Sequence, residues 1–274
     1  MDHLFQALIL GIVQGLTEFL PVSSSGHLIV VPYLLHWDDP FITGLGFTVA
    51  LHGGTLLALL IYFREEWVRL VPAGLAALRD RSFRRDPDRR LAWLIVVSTI
   101  PAAILGVVLN DPIEKAIRQA GLVAILLALA GGVLWLAERW GSGGLSVDRL
   151  SMPAALGIGL AQALALLPGV SRSGISISAG LFAGLTREDA ARYSFLMATP
   201  VTAGAVLYEG LKLVRGGEVA AEAGPLAVGV VAAFVSGVIA IAALLRFVRS
   251  RSYTVFVVYR LAVAALVLAV FLTR

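Results

Sequence analysis

Two short polar segments, each set within apolar sequence, hold most of the side chains that could do chemistry. The first, residues 14–27, reads QGLTEFLPVSSSGH, and the second, residues 162–174, reads QALALLPGVSRSG. Each places serines and a glycine at the expected start of a helix, where the helix dipole and unpaired backbone N–H groups favour an anion. The two segments therefore predict one composite site for an anionic group, to which the first contributes a carboxylate and a histidine and the second an arginine.

Glu18 is the most informative single residue of the first segment. An unpaired carboxylate is costly in a hydrocarbon environment, so Glu18 must be paired, protonated or metal-bound. Gln14 lies four residues earlier on the same helical face and can offer an amide oxygen to the same cation. Because Mg²⁺ binds few carboxylates and completes its shell with water and substrate phosphates, we predict Mg²⁺, with Ca²⁺ as the alternative, held by Gln14 and Glu18. A structural ion pair between Glu18 and Arg172 is the competing interpretation.

The serine loops predict a surface for phosphate oxygens. Arg172 supplies a planar fork of donors that matches a phosphate group. The competing interpretation is that the serines only cap helices, which is the commoner role of any single serine. The predicted phosphate-binding residues are Ser23, Ser25, Gly26, Ser171, Arg172, Ser173 and Ser176.

A nucleophile is also present in the first segment. Ser24 is the candidate, because Glu18 or His27 could take its proton, and a metal-activated water is the rival attacker. We therefore predict Glu18, Ser24, His27 and Arg172 as the catalytic residues. His52 is a weaker candidate, since its Gly-Gly-Thr surroundings equally suit close helix packing. No GxSxG, HExxH or Walker motif occurs in the chain.

The composition places these segments in a membrane. Of the 274 residues 58% are hydrophobic and 15% are charged, whereas a soluble domain would be about a quarter charged. Apolar stretches near the spanning length recur along the chain, as in a polytopic membrane protein. Cysteine is absent, which excludes disulfides and thiolate metal sites. The net charge of +4 is better explained by arginines in cytoplasmic loops than by nucleic-acid binding.

The polar segments also mark an internal repeat. An offset of 148 residues places Ser23, Ser25 and Gly26 on three matching residues of the second segment. We predict one membrane domain, residues 1–274, with repeats of about 1–140 and about 150–274. The stretch 28–35 is too short to span, so it and the apolar stretch before it are predicted to re-enter the membrane as a pair, and the second polar segment repeats this pattern. The re-entrant pairs are 4–20 with 28–35 and 152–167 with 175–185, and the six predicted spans are 44–63, 91–109, 121–138, 193–211, 225–245 and 253–272.

The distribution of lysine and arginine orients this arrangement. The arginine-rich stretch 64–90 has the helical spacing of an interfacial amphipathic helix. In the predicted topology this stretch and three further loops lie on one side of the membrane and together hold 15 Lys/Arg residues, against five on the other side. The positive-inside rule makes the richer side cytoplasmic and both termini external. The prediction is an all-α polytopic membrane protein with six transmembrane helices plus two re-entrant helix pairs in an inverted-topology repeat, whose polar tips meet near the midplane.

At these residues the chain resembles a known family. Residues 14–27 resemble the (E/Q)xxxE plus serine–histidine signature of the undecaprenyl-diphosphatase, or bacitracin-resistance, family, and residues 168–176 resemble its PGxSRSxxT motif. The resemblance runs along essentially the whole chain, including the C-terminal pair Tyr259-Arg260. Two positions depart from the pattern. Gln14 leaves one fewer carboxylate for a metal, and Ser176 replaces the final threonine but keeps a hydroxyl.

The resemblance implies a bacterial inner-membrane hydrolase that removes the terminal phosphate of undecaprenyl diphosphate with the help of a divalent cation. The lipid monophosphate would thereby be recycled for peptidoglycan synthesis, and we expect the active site to be reached from the external side. Membrane lipids are the other expected partners, and the sequence leaves the oligomeric state open, a homodimer included. The alternative function is a secondary transporter or flippase for a polyprenyl phosphate lipid, because inverted repeats with broken helices are typical of transporters.

Overall fold

The computed structural model describes residues 3–83, 86–116, 119–141, 143–216 and 223–273. Within these ranges the regular elements are all helical. Short 3₁₀ helices at Val147–Arg149 and Leu164–Leu166 accompany eleven α-helices. The α-helices are α1 (His3–Phe19), α2 (Ser24–Leu35), α3 (Leu45–Tyr62), α4 (Arg64–Asp80), α5 (Pro87–Ala116), α6 (Ala120–Trp140), α7 (Met152–Ala163), α8 (Arg172–Phe182), α9 (Arg187–Gly216), α10 (Ala223–Val248) and α11 (Thr254–Thr273).

Five of the described helices are long and apolar enough to cross a membrane, namely α3, α5, α6, α10 and α11. They confirm the prediction of an all-α polytopic membrane protein. The sixth predicted span lies in α9, a 30-residue helix that is long enough but less apolar. Its polar residues Ser194, Thr199 and Thr202 are buried. Because α9 packs against α3, α5 and α8, these polar groups face protein rather than lipid.

Helix α4 presents an apolar stripe outward. Val68, Val71, Leu75 and Leu78 are all more than half exposed, at 53 to 74%, while Leu70 on the opposite side is fully buried in the core. These outward positions recur at helical spacing on an arginine-rich helix, as in helices that lie in a membrane interface. The predicted amphipathic segment therefore forms a helix, and its apolar residues divide between the core and an exposed face.

The loop that joins α1 to α2 and the loop that joins α7 to α8, called the two hairpin loops, adopt the same local conformation. Ser23 and Ser171 have φ angles of 75° and 74°, which non-glycine residues rarely adopt. Each caps the following helix, since its hydroxyl accepts a hydrogen bond from the backbone N–H of Gly26 at 3.3 Å or of Gly174 at 3.1 Å. Residues related by the 148-residue offset thus have matching backbone geometry, as an internal repeat requires. The boundaries of the two repeats stay a prediction.

The first helices of the two hairpins are also embedded in the same way. α1 packs along α10, and α7 packs along α5. At each contact a glycine allows the backbones to approach closely: a Cβ on Gly11 would lie 2.4 Å from the carbonyl oxygen of Gly229, and one on Gly159 would lie 2.2 Å from that of Ser98. Small residues at such contacts are typical of membrane helix packing. The hairpins are therefore held deep in the helical bundle.

The predicted orientation can be tested with single cysteines, because the chain has none of its own. Arg79→Cys and Thr273→Cys both lie at exposed positions. On intact cells a membrane-impermeant thiol reagent is expected to label position 273, whereas position 79 should react only after permeabilisation. Labelling of position 79 from outside would reverse the orientation. Four of the arginines counted above, Arg84, Arg85, Arg118 and Arg274, lie outside the described residues, as does the N-terminal Asp2.

Candidate active site

The tips of the two hairpins meet in the folded chain. Arg172, at the start of α8, forms an ion pair with Glu18, at the end of α1, across 154 positions of sequence. Beside this pair, the hydroxyl of Ser173 donates a hydrogen bond of 3.0 Å to the backbone carbonyl of Leu20. The structure therefore brings the predicted carboxylate and the predicted arginine into one cluster.

The carboxylate of Glu18 is the centre of this cluster. Arg172 contacts Oε1, while the Gln14 side chain donates a 3.0 Å hydrogen bond to Oε2 and the Ser24 hydroxyl donates another to the same oxygen. His52 Nε2 lies 3.7 Å from Oε2. The Glu18 side chain is only 5% exposed. Four helices, α1, α2, α3 and α8, thus contribute polar groups around one buried carboxylate.

Two buried polar atoms of the cluster could each form a further hydrogen bond or bind a ligand. Among the residues that the structure describes, Gln14 Oε1 and Arg172 Nη1 are buried without a hydrogen-bond partner. Leaving a buried polar group unpaired costs about 1–3 kcal/mol, and more for a charged group. The ion pair with Glu18 therefore forms but does not satisfy Arg172. An amide oxygen suits a cation, and a guanidinium N–H suits a phosphate oxygen.

The donor set can be compared with what a divalent cation requires. Glu18 and Gln14 present hard oxygen atoms, and Gln14 Oε1 is the buried oxygen that lacks a partner. No cluster of three or more histidine, aspartate or glutamate side chains suited to a metal occurs in the described part of the chain. Mg²⁺ does not need such a cluster when substrate phosphates and water complete its shell. The residues present therefore fit the predicted cation.

The serine loops leave some backbone donors for a ligand. In a helix the first N–H groups have no intrahelical partner, and here the hydroxyls of Ser23 and Ser171 satisfy only the third N–H of α2 and α8. The N–H groups of Ser24 and Ser25, and the corresponding pair in α8, remain for other partners. Ser25 also lines the cavity described below. The capping role, which was the competing interpretation, thus uses other atoms of these loops than those predicted to bind an anion.

Ser176 differs from the other predicted phosphate-binding residues. Its hydroxyl donates to the backbone carbonyl of Arg172 at 2.6 Å and contacts the hydroxyl of Ser194 on α9 at 2.6 Å. The residue is 1% exposed. The hydroxyl of Ser176 is therefore engaged by the backbone of Arg172 and by Ser194, and no hydrogen bond among the described residues joins it to the Glu18 side chain.

His27 is oriented by two other groups. Its Nδ1 lies 2.7 Å from the backbone carbonyl of Ser23, and its Nε2 lies 2.8 Å from the hydroxyl of Tyr259 on α11. A carbonyl can only accept, so the proton sits on Nδ1 and Nε2 accepts from tyrosine. Neither contact reaches Ser24, whose hydroxyl donates to Glu18 instead. Of the two predicted proton acceptors for Ser24, only Glu18 is in place.

Arg260 is a buried residue of this region that sequence reasoning did not include in the site. Its side chain is fully buried in α11 and donates to four backbone carbonyls. One belongs to the first hairpin, two to the second and one to α6; they are Pro21, Gly169, Val170 and Leu127, at 2.9 to 3.1 Å. Arg260 therefore links the two hairpin loops through hydrogen bonds to their backbone carbonyls. An arginine in the middle of an apolar span was the available signal, because such residues are rare and functional.

A cavity of about 450 Å³ lies beside the cluster. Ser25 and His52 line it at the hairpin side, and apolar residues line most of the remainder. A volume of this order is usual for small-molecule sites, which are mostly apolar with a few polar groups. The apolar part of the lining comes from α2, α3, α5, α9 and the second hairpin, including Leu28, Val49, Ala102, Leu166, Pro168 and Val201. The cavity therefore joins polar groups to a wall suited to a hydrocarbon chain.

The amino-acid sequence was compared with known proteins. Residues 7–266 match the family model described as bacitracin resistance protein BacA. The chain is 46% identical to the undecaprenyl-diphosphatase of Thermomicrobium roseum, with 98% of each protein covered. It is 47% identical to the undecaprenyl-diphosphatase of Pelobacter propionicus, over 99% of this chain and 98% of the relative. It is 48% identical to that of Trichlorobacter lovleyi, over 98% of this chain and 97% of the relative.

Proposed function

This chain belongs to the bacitracin resistance protein BacA family, and we propose that it is an undecaprenyl-diphosphatase, which hydrolyses undecaprenyl diphosphate to undecaprenyl phosphate and inorganic phosphate. The curated relatives are similar over nearly their full length and carry this enzyme's name. None of those three names describes a transporter or flippase, so the alternative function gains no support. The chain is a multi-pass membrane protein, as a hydrolase of a lipid diphosphate is expected to be.

The observation that carries the proposal is the Ser24–Glu18–Arg172 cluster. A serine hydroxyl donates to a buried carboxylate, and an arginine with one unpartnered nitrogen stands on the other side of that carboxylate. A nucleophile beside a base is the arrangement that covalent catalysis requires. A cation beside it suits the charge that develops on phosphoryl oxygens.

The reaction follows from this arrangement. Ser24 Oγ attacks the terminal phosphorus while Glu18 accepts the hydroxyl proton. The bond between that phosphorus and the bridging oxygen breaks, and undecaprenyl phosphate leaves with the electron pair. Water then attacks the phosphoserine, the phosphorus–Oγ bond breaks, and the proton held by Glu18 returns to Ser24 as inorganic phosphate departs. Direct attack by water, with Glu18 as its base, is the rival route to the same products.

Binding of the diphosphate falls to the two loops. Arg172 Nη1 and the first N–H groups of α2 and α8 would donate to phosphate oxygens, and His27 would hold the loop at Ser23 through its Nδ1. Gln14 and Glu18 would hold the divalent cation, Mg²⁺ or Ca²⁺, which supplies positive charge that neutralises the phosphates. These donors together balance a strongly anionic group that would otherwise be excluded from an apolar interior.

The apolar cavity is proposed to receive the start of the lipid tail. Ser25 and His52 line it close to Glu18, Thr48, Tyr208 and Glu209 are its other polar lining residues, and its walls are otherwise apolar. The isoprene units nearest the diphosphate would fill it, and the rest of the tail would lie along the exposed apolar helix surfaces. We place the protein in the bacterial plasma membrane, with the site reached from the external side. Partner copies and bound membrane lipids stay a prediction.

The experiment that tests the function uses the purified full-length protein in detergent. Addition of undecaprenyl diphosphate and Mg²⁺ is expected to release inorganic phosphate in a catalytic, multiple-turnover reaction. A transporter would release none, so the absence of phosphate would reject the proposal. The terminal phosphate carried as ³²P would label the wild-type protein transiently, and Ser24→Ala would remove that label if serine is the nucleophile. Full activity of Ser24→Ala would favour water as the attacker.

Arg172→Lys is predicted to impair hydrolysis severely. Lysine keeps the positive charge but loses the planar fork that spans Glu18 and a phosphate oxygen. Loss of one donor to developing charge typically costs about 10²–10³ in kcat. The measurement is kcat and KM for phosphate release, with Arg246→Lys, an exposed position on α10, as the matched control. Near wild-type constants for Arg172→Lys would mean that this residue supplies only a diffuse positive field.

A further inference from the structure

We infer that His52 is a third protein ligand of the divalent cation, and that this chain's site therefore favours ions that accept an imidazole ligand, Co²⁺ and to a lesser degree Mn²⁺, over Ca²⁺. The inference rests on the proposed function only in placing a cation at Glu18 and Gln14. It concerns a residue of α3 that neither motif of the sequence contains.

The imidazole of His52 is oriented as metal-ligating histidines are. Its Nδ1 lies 2.8 Å from the backbone carbonyl of Thr48, one turn earlier in α3. That contact assigns the proton to Nδ1 and leaves a lone pair on Nε2. Histidine ligands almost always donate their other ring N–H to a carbonyl or carboxylate, which fixes the tautomer and the ring.

The free nitrogen faces the carboxylate that is already proposed to bind the cation. His52 Nε2 lies 3.7 Å from Glu18 Oε2, which is too long for a hydrogen bond. Two atoms that each lie about 2.1 Å from one ion are roughly 3.0–3.4 Å apart in octahedral or tetrahedral geometry. A shift of a few tenths of an ångström would therefore let both atoms bind one ion.

A second observation points to the same place. Gln14 is fully buried and its amide donates to Glu18 Oε2, yet its Oε1 has no partner among the described residues. A buried oxygen acceptor beside that carboxylate offers a third ligand atom. The chain thus presents one nitrogen and two kinds of oxygen from α1 and α3, on helices that pack against each other.

The site is also open on one side. The His52 side chain is 28% exposed and lines the cavity together with Ser25, whereas the Glu18 side chain is 5% exposed. An ion and its water ligands can therefore arrive through the part of this cavity that Ser25 and His52 line. Imidazole nitrogen is a poor ligand for Ca²⁺, which takes oxygen atoms, whereas first-row ions accept it with an affinity that rises from Mn²⁺ to Co²⁺ and Ni²⁺. The identity of residue 52 would then set the cation preference of this chain.

Cation binding can be measured without substrate. In the purified full-length protein, Mn²⁺ titrated by its EPR signal is expected to bind wild type at least about 10-fold more tightly than His52→Gln, because a neutral amide oxygen is a weaker donor to this ion than imidazole nitrogen. Ca²⁺ affinity, measured by competition, should change far less. The matched control is His3→Gln, because His3 also faces a carboxylate, that of Asp39 at 3.1 Å, and both residues lie outside the two motifs. This control should bind Mn²⁺ as wild type does.

Pulsed EPR of Mn²⁺ bound to wild type gives a second readout that needs no variant. A ¹⁴N coupling of directly bound imidazole, absent in His52→Gln, is expected. Unchanged Mn²⁺ affinity in His52→Gln, a missing ¹⁴N coupling, or no Mn²⁺ binding by wild type would each overturn the inference. Phosphate release by wild type is scored separately: a protein that binds Mn²⁺ through His52 but releases no phosphate would reject the proposed function and keep the cation site.

Discussion

Glu18→Gln is expected to reduce phosphate release by about 10²–10⁴-fold while the protein stays folded. The amide cannot accept the Ser24 proton, and general-base catalysis typically contributes a factor of this size. The same change removes the anionic oxygen proposed to bind the cation. The protein should stay folded with a lower melting temperature, because the neutral amide avoids the desolvation cost of the carboxylate but leaves Arg172 without its counter-charge.

The measurement combines kcat for phosphate release with the thermal melting temperature of the same preparation. Glu138→Gln is the matched control, since the Glu138 side chain is also only 9% exposed and forms an ion pair, with an arginine, Arg187, that is 45% exposed. That variant should lose stability rather than kcat, because no described contact joins Glu138 to the hairpin loops. Retained activity in Glu18→Gln would contradict the catalytic role proposed for Glu18. Unfolding of Glu18→Gln would instead favour the interpretation that the pair with Arg172 is structural.

Arg260→Lys is expected to lower both stability and kcat. A lysine ammonium cannot span the four carbonyls of two hairpin loops and α6 that the guanidinium joins. Because the ammonium has three N–H donors, at least one of the four carbonyls would lose its donor, at about 1–3 kcal/mol when buried. Because the loops also position Ser24 and Arg172, a loosened tip is expected to reduce kcat more than it raises KM, as misplacement of reacting groups does.

The kcat of Arg260→Lys must be measured below the melting temperature of this variant. Below the melting transition of Arg260→Lys the protein is folded, so a fall in kcat there reports positioning rather than the loss of folded molecules. Arg246→Lys, exposed at the end of α10, makes the same chemical change without buried partners and should behave as wild type. A folded Arg260→Lys with wild-type kcat would show that the carbonyl clamp does not govern catalysis.

The class of the protein and its local structure follow from the sequence. Composition and the lengths of the apolar stretches predict an all-helical polytopic membrane protein, and five described helices have the required length and apolarity. The serine caps at Ser23 and Ser171 are local features, because a cap involves residues only three positions apart. The cost of a buried carboxylate predicts that Glu18 has partners, and the sequence offers Gln14 one turn away.

Which partners are used was decided only by the tertiary structure. Ser24 donates to Glu18 rather than to His27, and the Ser176 hydroxyl contacts Ser194 of α9. Arg260 donates to the backbone carbonyl of Pro21 across 239 positions of sequence. Helical periodicity fixes which residues share a face within one helix, but it carries no information about which helix lies opposite. The desolvation cost of a buried charge requires a partner without naming it. That choice depends on how the helices pack, where close glycine contacts set the distances between the two hairpins and the rest of the bundle.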